Sequence, residues 1–224
     1  MKNRKKIVVF TGAGVSADSG ISTFRDSDGL WDKYRIEDVC TPEALARNRK
    51  TVIDFYNIRR RELLSKEPNA GHYAIRKLED HFDVEVVTQN IDGLHQKAGS
   101  RNVFELHGSV LRNYCMKCGK FYPGEFVRDA KGIPRCTCGG IVKPDVVLYE
   151  EALDEKTLAG AISAIRQADM LLVGGTSLTV YPAAGLLGYY RGDRLALINR
   201  DETPYDDMAG LVLHASLGDV FSQL

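Results

Sequence analysis

Four of the five cysteines stand in two close pairs whose spacing is typical of a metal site. Cys115 and Cys118 form a C-x-x-C pair, Cys136 and Cys138 form a C-x-C pair, and seventeen residues separate the pairs. Two thiolate pairs at this separation can close a tetrahedral four-cysteine zinc site, and a glycine follows each pair. Because no ligand position stays open, the zinc is expected to be structural. Redox chemistry or a disulfide is the alternative, although neither pair opens a helix after a strand.

A glycine-rich turn, TGAGVSADSG, follows the apolar run at residues 7–10. Gly12, Gly14 and Ala17 fit the G-x-G-x-x-G/A pattern, in which missing side chains let backbone N–H groups approach a pyrophosphate. A redox dinucleotide enzyme would show a second strand ending in Asp or Glu roughly 20 residues further on. Residues 26–38 are polar and contain no β-branched run. The turn is therefore expected to bind a nucleotide in another way, and a tight turn without a ligand is the alternative.

The charge balance argues against two classes of partner. The 224 residues include 30 Lys and Arg and 30 Asp and Glu, so no net field favours nucleic acid or an anionic membrane. No apolar stretch reaches the roughly 18 residues of a membrane span, and the apolar segment after residues 2–6 is too short for a signal peptide. We expect no nucleic-acid partner, no membrane association and a cytoplasmic location, which the clustered cysteines also favour.

Runs rich in β-branched and aliphatic residues alternate with helical patterns along the chain. The runs cover residues 7–10, 84–88, 145–148, 170–173, 195–198 and 211–213. Their near-continuous hydrophobicity favours parallel strands that are buried on both faces. The helical patterns between them include residues 69–80, 154–167 and 182–190. This alternation predicts an α/β fold, a Rossmann-like doubly wound parallel sheet with a smaller insert domain.

Two segments interrupt the alternation. Residues 41–65 read as a helical pair that begins with Thr41 as N-cap and Pro42 at the first helical position, and residues 115–138 carry the cysteines. The predicted small domain comprises a helical part, residues 35–68, and a zinc-binding part, residues 113–142. The predicted large domain comprises residues 1–34, 69–112 and 143–224.

Short segments that follow the predicted strands carry polar side chains. In an open parallel sheet ligands bind beyond the carboxyl ends of the strands, so these segments are candidates for binding ribose hydroxyls and a carboxamide. They contain Gln89, Asn90, Ile91 and Asp92, then Gly175, Thr176 and Ser177, then Asn199, Arg200 and Asp201. His107 ends a short run before Gly108, where an imidazole can act as a base near neutral pH. The other histidines are interpreted as structural.

The order of these motifs resembles that of the sirtuins, the NAD-dependent protein lysine deacylases. The shared segments are GAGVSADSGISTFR, TQNIDGLH, ELHGS, the cysteine pairs, KPDVVLYEE, GTSLTVYPAA and IN. They cover nearly the whole chain, and the resemblance implies an NAD that is consumed rather than reduced. The chain departs from the family at Ser22-Thr23, where Pro-Asp is usual, and at Tyr149-Glu150-Glu151, where Phe-Gly-Glu is usual.

The resemblance implies a role for each matching position. His107 is the general base, and Asn90, with Asp92, orients the ribose and the nicotinamide carboxamide for catalysis. An acyl-lysine peptide adds as a β-strand beside the VVLYE segment, and the products are nicotinamide, free lysine and O-acyl-ADP-ribose. The positions implied to bind NAD are Gly12, Ala13, Gly14, Ala17, Thr23, Phe24, Arg25, Trp31, Gln89, Asn90, Ile91, Asp92, Gly175, Thr176, Ser177, Asn199, Arg200, Asp201 and Ala215.

Tyr56 and Arg59 are three residues apart in a helical pattern and therefore share a face. From the pattern alone, a solvated charge run beside a partly buried aromatic residue is the alternative. The Tyr-x-x-Arg pair resembles the acyl pocket of desuccinylase-type sirtuins, where a guanidinium and a phenol bind the distal carboxylate of succinyl- or malonyl-lysine. Deacetylation and desuccinylation are both expected. The competing hypotheses are ADP-ribosyl transfer to protein and a non-enzymatic zinc-bearing nucleotide sensor.

Overall fold

The computed structural model describes residues 4–22 and 33–221. Its strands are β1 (Lys6–Thr11), β2 (Asp83–Thr88), β3 (Val103–Glu105), β4 (Gly108–Cys115), β5 (Phe121–Tyr122), β6 (Val142–Val146), β7 (Met170–Gly174), β8 (Leu195–Ile198) and β9 (Leu211–Leu213). Its α-helices are α1 (Ile36–Val39), α2 (Pro42–Arg47), α3 (Arg49–Leu64), α4 (Ala70–Leu78), α5 (Leu94–Lys97), α6 (Gly124–Arg128), α7 (Glu155–Gln167) and α8 (Leu217–Phe221). Within the same residues, 3₁₀ helices span Ala13–Ser19, Ala183–Tyr189 and Asp206–Met208. The predicted site residues Thr23, Phe24, Arg25 and Trp31 lie outside the described residues.

The chain divides into two compact units. Unit 1 comprises Met1–Thr23, Glu67–Leu106 and Leu153–Leu224, and unit 2 comprises Phe24–Lys66 and His107–Ala152. Residues 107–112 and 143–152, which the sequence assigns to the large domain, pack in unit 2. In the described part of the chain no helix is both long enough and apolar enough to cross a bilayer.

Unit 1 is built on a six-stranded parallel sheet in the order β3-β2-β1-β7-β8-β9. Numbered along the chain, these six strands lie in the order 3-2-1-4-5-6, which is the Rossmann order. Val8, Val9 and Phe10 of the central strand β1 are fully buried, as expected for a strand covered on both faces. The predicted fold class is therefore confirmed.

Helix α4 is tied to the segment that follows β1. The Asn69 side chain caps α4 by accepting from the Gly71 N–H at 2.9 Å. Its amide group donates to the Val15 carbonyl at 2.8 Å and to Ser19 Oγ at 3.0 Å. Ile75 then packs into the core of unit 1. One cap residue thus fixes both the start of α4 and the path of the chain after β1.

Unit 2 holds a three-stranded antiparallel sheet in the order β5-β4-β6 and the helices α1, α2, α3 and α6. Thr41 caps α2 and Pro42 is its first residue, as predicted. The guanidinium of the buried Arg60 in α3 donates to the Val110 carbonyl at 2.8 Å and to Asn113 Oδ1 at 2.5 Å. These bonds join the helical part of unit 2 to its sheet.

One sequence prediction of an element is wrong. The run at residues 145–148 was expected in the parallel sheet, but β6 ends at Val146 and pairs antiparallel with β4. Its residues alternate between buried and partly buried, which is the pattern of a strand with one covered face. The helical pattern at residues 182–190 is confirmed as a helix over Ala183–Tyr189, and this helix is of the 3₁₀ type.

Candidate functional site

The carboxyl ends of β1 and β7 lie at the topological switch point of the parallel sheet. The β1 and β7 strands are neighbours in the sheet. The connection from β1 leads to β2 on one side of this pair, and the connection from β7 leads to β8 on the other side. The two connections therefore diverge and leave a crevice between them, where doubly wound sheets bind dinucleotides. The turns that leave these strands contain Gly12 and Gly14 after β1 and Gly175 after β7.

The two glycine turns pack backbone against backbone. The Gly14 N–H donates to the Gly175 carbonyl at 2.7 Å, and a Cβ on Gly14 would lie 2.9 Å from Gly175 Cα. Gly175 has φ +61°, and a Cβ there would lie 2.3 Å from the Val15 nitrogen. The turns can approach only because these residues lack side chains. This packing requirement is a second reason for the glycine pattern, beside access for a ligand.

Three buried polar side chains form a hydrogen-bonded cluster next to the first turn. The Ser16 hydroxyl donates to Asp92 Oδ2 at 2.7 Å and accepts from Asn90 Nδ2 at 3.1 Å. Asp92 Oδ1 accepts from the Leu94 N–H at 2.9 Å. Asn90 and Asp92 are predicted site residues, whereas Ser16 is not among them, although it lies in the same glycine-rich segment. The cluster holds a carboxylate and a carboxamide in fixed orientations.

Two buried histidines support this cluster. His72 Nε2 lies 3.5 Å from Ser16 Oγ, and His95 Nε2 lies 2.9 Å from Thr11 Oγ1. Their rings are in edge contact, with centroids 4.9 Å apart. Burial, and to a smaller extent His72, lowers the pKa of His95 to about 3. Burial also lowers the pKa of His72, against the opposing effect of the Asp92 carboxylate. Both rings are therefore neutral at pH 7.

The buried His95 predicts a loss of stability in mild acid. In the unfolded chain its pKa returns to about 6.5, so below that pH the unfolded state binds a proton that the folded state does not. Stability contributed by His95 is complete above pH 6.5 and falls as the pH drops toward 3, by about 2 kcal/mol at pH 5. Urea unfolding at pH 7.5 and 5 measures this loss. We expect His95→Gln to reduce the loss and the exposed His81→Gln to retain it; equal losses in all three proteins would contradict the assignment.

The second part of the switch-point edge is formed by the turns after β7 and β8. Thr176 Oγ1 accepts from Gln89 Nε2 at 3.0 Å, which connects the turns after β7 and β2. Asn199 Nδ2 donates to the Asp201 carbonyl at 2.8 Å. Arg200 Nη2 donates to Asp18 Oδ1 at 2.8 Å, so the turn after β8 is connected to the 3₁₀ helix after β1.

The predicted site residues of unit 1 lie at the carboxyl edge of its six-stranded sheet. They meet there because the strands of this sheet are parallel and each of these residues comes after a strand. These residues are Gly12, Ala13, Gly14, Ala17, Gln89, Asn90, Ile91, Asp92, Gly175, Thr176, Ser177, Asn199, Arg200, Asp201 and Ala215. The other described residues predicted to act in catalysis, acyl binding or metal binding belong to unit 2. These are Tyr56, Arg59, His107, Cys115, Cys118, Cys136 and Cys138.

His107 lies immediately before β4 and is partly buried. Its carbonyl accepts from the Val147 N–H at 3.0 Å. The next residue, Gly108, has φ +74°, and a Cβ there would lie 2.0 Å from the Asp145 carbonyl oxygen. Only glycine fits at this approach of β4 to β6. Contacts with Asp145 and Val147 thus fix the backbone at His107 and Gly108.

Tyr56 and Arg59 lie one turn apart on α3, close to Cys40. The Tyr56 hydroxyl contacts Cys40 Sγ at 3.9 Å. Burial raises the pKa of Cys40 to about 11, against the opposing effects of Tyr56 and of the Arg59 charge. The Cys40 thiol is therefore neutral. Burial also raises the pKa of Tyr56 well above its ordinary value, so this side chain is a neutral phenol.

The segment after β6 contains a residue in the left-handed region. Glu150 is exposed and has φ +71°, a conformation that costs a residue with a Cβ about 1–2 kcal/mol. On either side the chain is fixed: the Tyr149 N–H donates to the Cys40 carbonyl at 2.8 Å, and Glu151 Oε2 accepts from the Leu148 N–H at 2.8 Å. Glu150 therefore occupies a position whose backbone favours glycine.

Replacing Glu150 by Gly is expected to raise the free energy of unfolding by about 1 kcal/mol, because glycine removes the strain of the positive φ. The measurement is urea unfolding monitored by circular dichroism. Glu202→Gly is the control: Glu202 is also exposed but has no positive φ, so this change should not stabilise. A loss of stability in Glu150→Gly would contradict the prediction.

The four cysteine sulfurs of unit 2 lie within 4.8 Å of one another. Cys115 Sγ is 3.5 Å from Cys138 Sγ, and Cys118 Sγ is 3.6 Å from Cys136 Sγ. In a tetrahedral zinc site with Zn–S bonds of 2.3 Å the sulfurs would be about 3.8 Å apart. All four are free thiols. The donor set and spacing therefore fit one structural zinc, as predicted.

Comparison with known proteins gives the family. A model of the Sir2 family matches residues 12–182. The chain belongs to the Sir2 family. A Sir2 relative in Clostridium perfringens, named NAD-dependent protein deacetylase, is 51% identical over 100% of this chain and 95% of its own length. A relative in Pyrococcus abyssi, named NAD-dependent protein deacylase, is 41% identical over 100% of this chain and 93% of its own.

Solved Sir2 structures share the fold. A Sir2 homologue in complex with NAD superposes with a TM-score of 0.90 at 38% identity, covering 98% of this chain and 88% of that one. A Sir2 variant with deacetylated p53 peptide and 3′-O-acetyl-ADP-ribose superposes with a TM-score of 0.86 at 34% identity, covering 98% and 92%. The Sir2 match ends before Asn199, Arg200, Asp201 and Ala215, whereas the two superpositions cover nearly the whole chain.

Proposed function

We propose that this chain is an NAD-dependent protein-lysine deacylase that removes acetyl groups and also accepts succinyl and malonyl groups. The names of its relatives support the first part. The observation that carries the proposal is the buried Ser16–Asn90–Asp92 cluster at the switch point of the sheet. A carboxamide and a carboxylate held there can orient a ribose and a nicotinamide amide.

NAD fits this edge as a co-substrate. When bound, it supplies the ribose carbon that accepts the acyl oxygen, and nicotinamide is the leaving group. The turns at Gly12–Gly14 and Gly175–Ser177 would hold the diphosphate and part of the adenosine, and Asn199, Arg200, Asp201 and Ala215 the rest. Thr23, Phe24, Arg25 and Trp31 complete the proposed NAD-binding set, together with Ala13, Ala17, Gln89 and Ile91.

His107 is the proposed general base. Its imidazole accepts the proton of a ribose hydroxyl, so that the hydroxyl can attack the acyl carbon, and water then completes the release of lysine. Asn90 acts with it in catalysis by orienting the ribose. The peptide binds as an added strand along residues 147–151, where main-chain hydrogen bonds give affinity with little dependence on sequence. The zinc stabilises unit 2 and takes no part in the reaction.

The acyl pocket is assigned to Tyr56 and Arg59. Arg59 is a partly buried cation, with 11% of its side chain exposed, on the same face of α3 as a neutral buried phenol. A guanidinium can bind a carboxylate through two parallel hydrogen bonds, which a neutral acetyl group cannot use. This pair supports activity toward succinyl- and malonyl-lysine in addition to acetyl-lysine. The cytoplasmic location and the absence of a nucleic-acid partner stay predictions.

One experiment tests both the deacylase activity and the acceptance of acidic acyl groups. The protein is incubated with NAD and one peptide that carries acetyl-, succinyl- or malonyl-lysine, and free lysine peptide is measured by mass spectrometry. Arg59→Met should lower kcat/KM for the succinyl peptide at least tenfold and leave acetyl turnover within about threefold. The exposed Arg61→Met is the matched control and should change neither. Deacetylation without any succinyl turnover would reject the pocket assignment but keep the deacylase.

A further inference from the structure

Arg59 already has a carboxylate partner within its own helix. Arg59 Nη1 lies 2.9 Å from Glu62 Oε2, one turn further along α3. The two side chains are only 11% and 29% exposed, so water screens this pair less than it screens a fully exposed ion pair. The Lys50–Asp54 pair of α3, for comparison, is 72% and 46% exposed. The cation that would recognise an acidic acyl group is thus largely neutralised.

This pairing affects charged and neutral acyl groups differently. A succinyl carboxylate on the same guanidinium would use N–H donors next to the one that Glu62 holds, and it would therefore stand close to a second carboxylate. Like charges this close in partly buried surroundings repel each other. An acetyl group carries no charge, so Glu62 imposes no such penalty on it. The Arg59–Glu62 pair therefore favours neutral acyl groups.

We propose that Glu62 is a specificity-determining residue, which neutralises Arg59 and thereby restrains turnover of succinyl- and malonyl-lysine relative to acetyl-lysine. The inference rests on the proposed function, because it takes Arg59 as part of the acyl pocket. Helix α3 would then carry both the cation that binds acidic acyl groups and the anion that limits their binding. The acyl preference of the enzyme is then set by the balance between two residues one helical turn apart.

The test is Glu62→Gln, which keeps the shape of the side chain and removes its charge. We expect kcat/KM for a succinyl peptide to rise about fivefold to tenfold and kcat/KM for the matching acetyl peptide to stay within twofold. Asp54→Asn on the same helix is the control for a general change in charge and should leave the ratio unchanged. In an Arg59→Met background the effect of Glu62→Gln should disappear. Glu62→Ala, with a thermal melt of each variant, provides a second route if the glutamine disturbs folding.

The possible results distinguish a failure of the role of Glu62 from a failure of the proposed function. An unchanged succinyl-to-acetyl ratio would overturn the role of Glu62. A lower ratio would also overturn it, because Glu62 would then be a positioning residue that holds Arg59 ready for the substrate. If the wild-type protein releases no nicotinamide with either peptide, the proposed function fails and the inference fails with it.

Discussion

Replacing His107 by Ala is expected to reduce kcat for deacylation about a thousandfold, while the affinity for NAD changes by less than about threefold. General-base catalysis contributes roughly 10²–10⁴-fold, and the ribose hydroxyl has no other proposed proton acceptor. His107 belongs to unit 2, whereas the proposed NAD-binding residues that the structure describes belong to unit 1. Its loss should therefore remove a chemical step and not the binding of the co-substrate.

The measurement combines steady-state kinetics with a calorimetric titration of NAD. Exchange of labelled nicotinamide into NAD in the presence of the acyl peptide gives a further readout, because cleavage of the nicotinamide bond precedes the step that needs His107. Exchange should persist in His107→Ala although lysine release is lost. His81→Ala, at an exposed position, is the control and should keep full activity. If the affinity for NAD falls as far as kcat, the assignment of His107 as a base is wrong.

Removal of the zinc is expected to have the second large effect. A structural zinc contributes its binding free energy to folding, about 10 kcal/mol or more in small zinc peptides at pH 7. Two of the ligands, Cys115 and Cys136, also belong to the core cluster of unit 2, together with Val142. Loss of the ion should therefore unfold the sheet of unit 2. Cys118→Ser should lower the melting temperature by more than about 10 °C and abolish deacylation.

The zinc content is measured by elemental analysis, which should give one zinc per chain in the wild type and much less in Cys118→Ser. Thr137→Ala is the matched control, because Thr137 is exposed between Cys136 and Cys138 but offers no thiolate. It should keep its zinc, its melting temperature and its activity. A metal-free protein with full activity and an unchanged melting temperature would contradict a structural zinc.

The sequence predicts the parallel sheet well because its signals are local. Five of the runs assigned to it are strands of unit 1, four of them mostly buried and the fifth, β9, an edge strand with Leu211 exposed. Residues that follow β1, β2, β7 and β8 meet at one edge. The run at 145–148 misleads because its β-branched composition resembles theirs, whereas its antiparallel pairing depends on β4, some thirty residues earlier. Composition does not distinguish a strand covered on both faces from one covered on one face.

The parts of the candidate site that sequence does not predict depend on contacts between distant segments. Ser16 becomes part of the cluster only when β1 and β2 pair and bring it to Asn90. The need for Gly14 arises from the approach of Gly175, more than 150 residues away in the chain. Glu150 is a further case: its positive φ is imposed by the fixed segments around it, and backbone propensity alone predicts glycine at such a position.

The proposed reaction consumes NAD to release an acyl group from lysine. The most direct test is to incubate the protein with NAD and an acetyl-lysine peptide and to quantify nicotinamide, free lysine peptide and O-acetyl-ADP-ribose at several times. If the proposal holds, the three products appear together in equal molar amounts, and only when NAD is present. Nicotinamide release with ADP-ribose attached to protein and no free lysine, or NAD binding without any turnover, would contradict it.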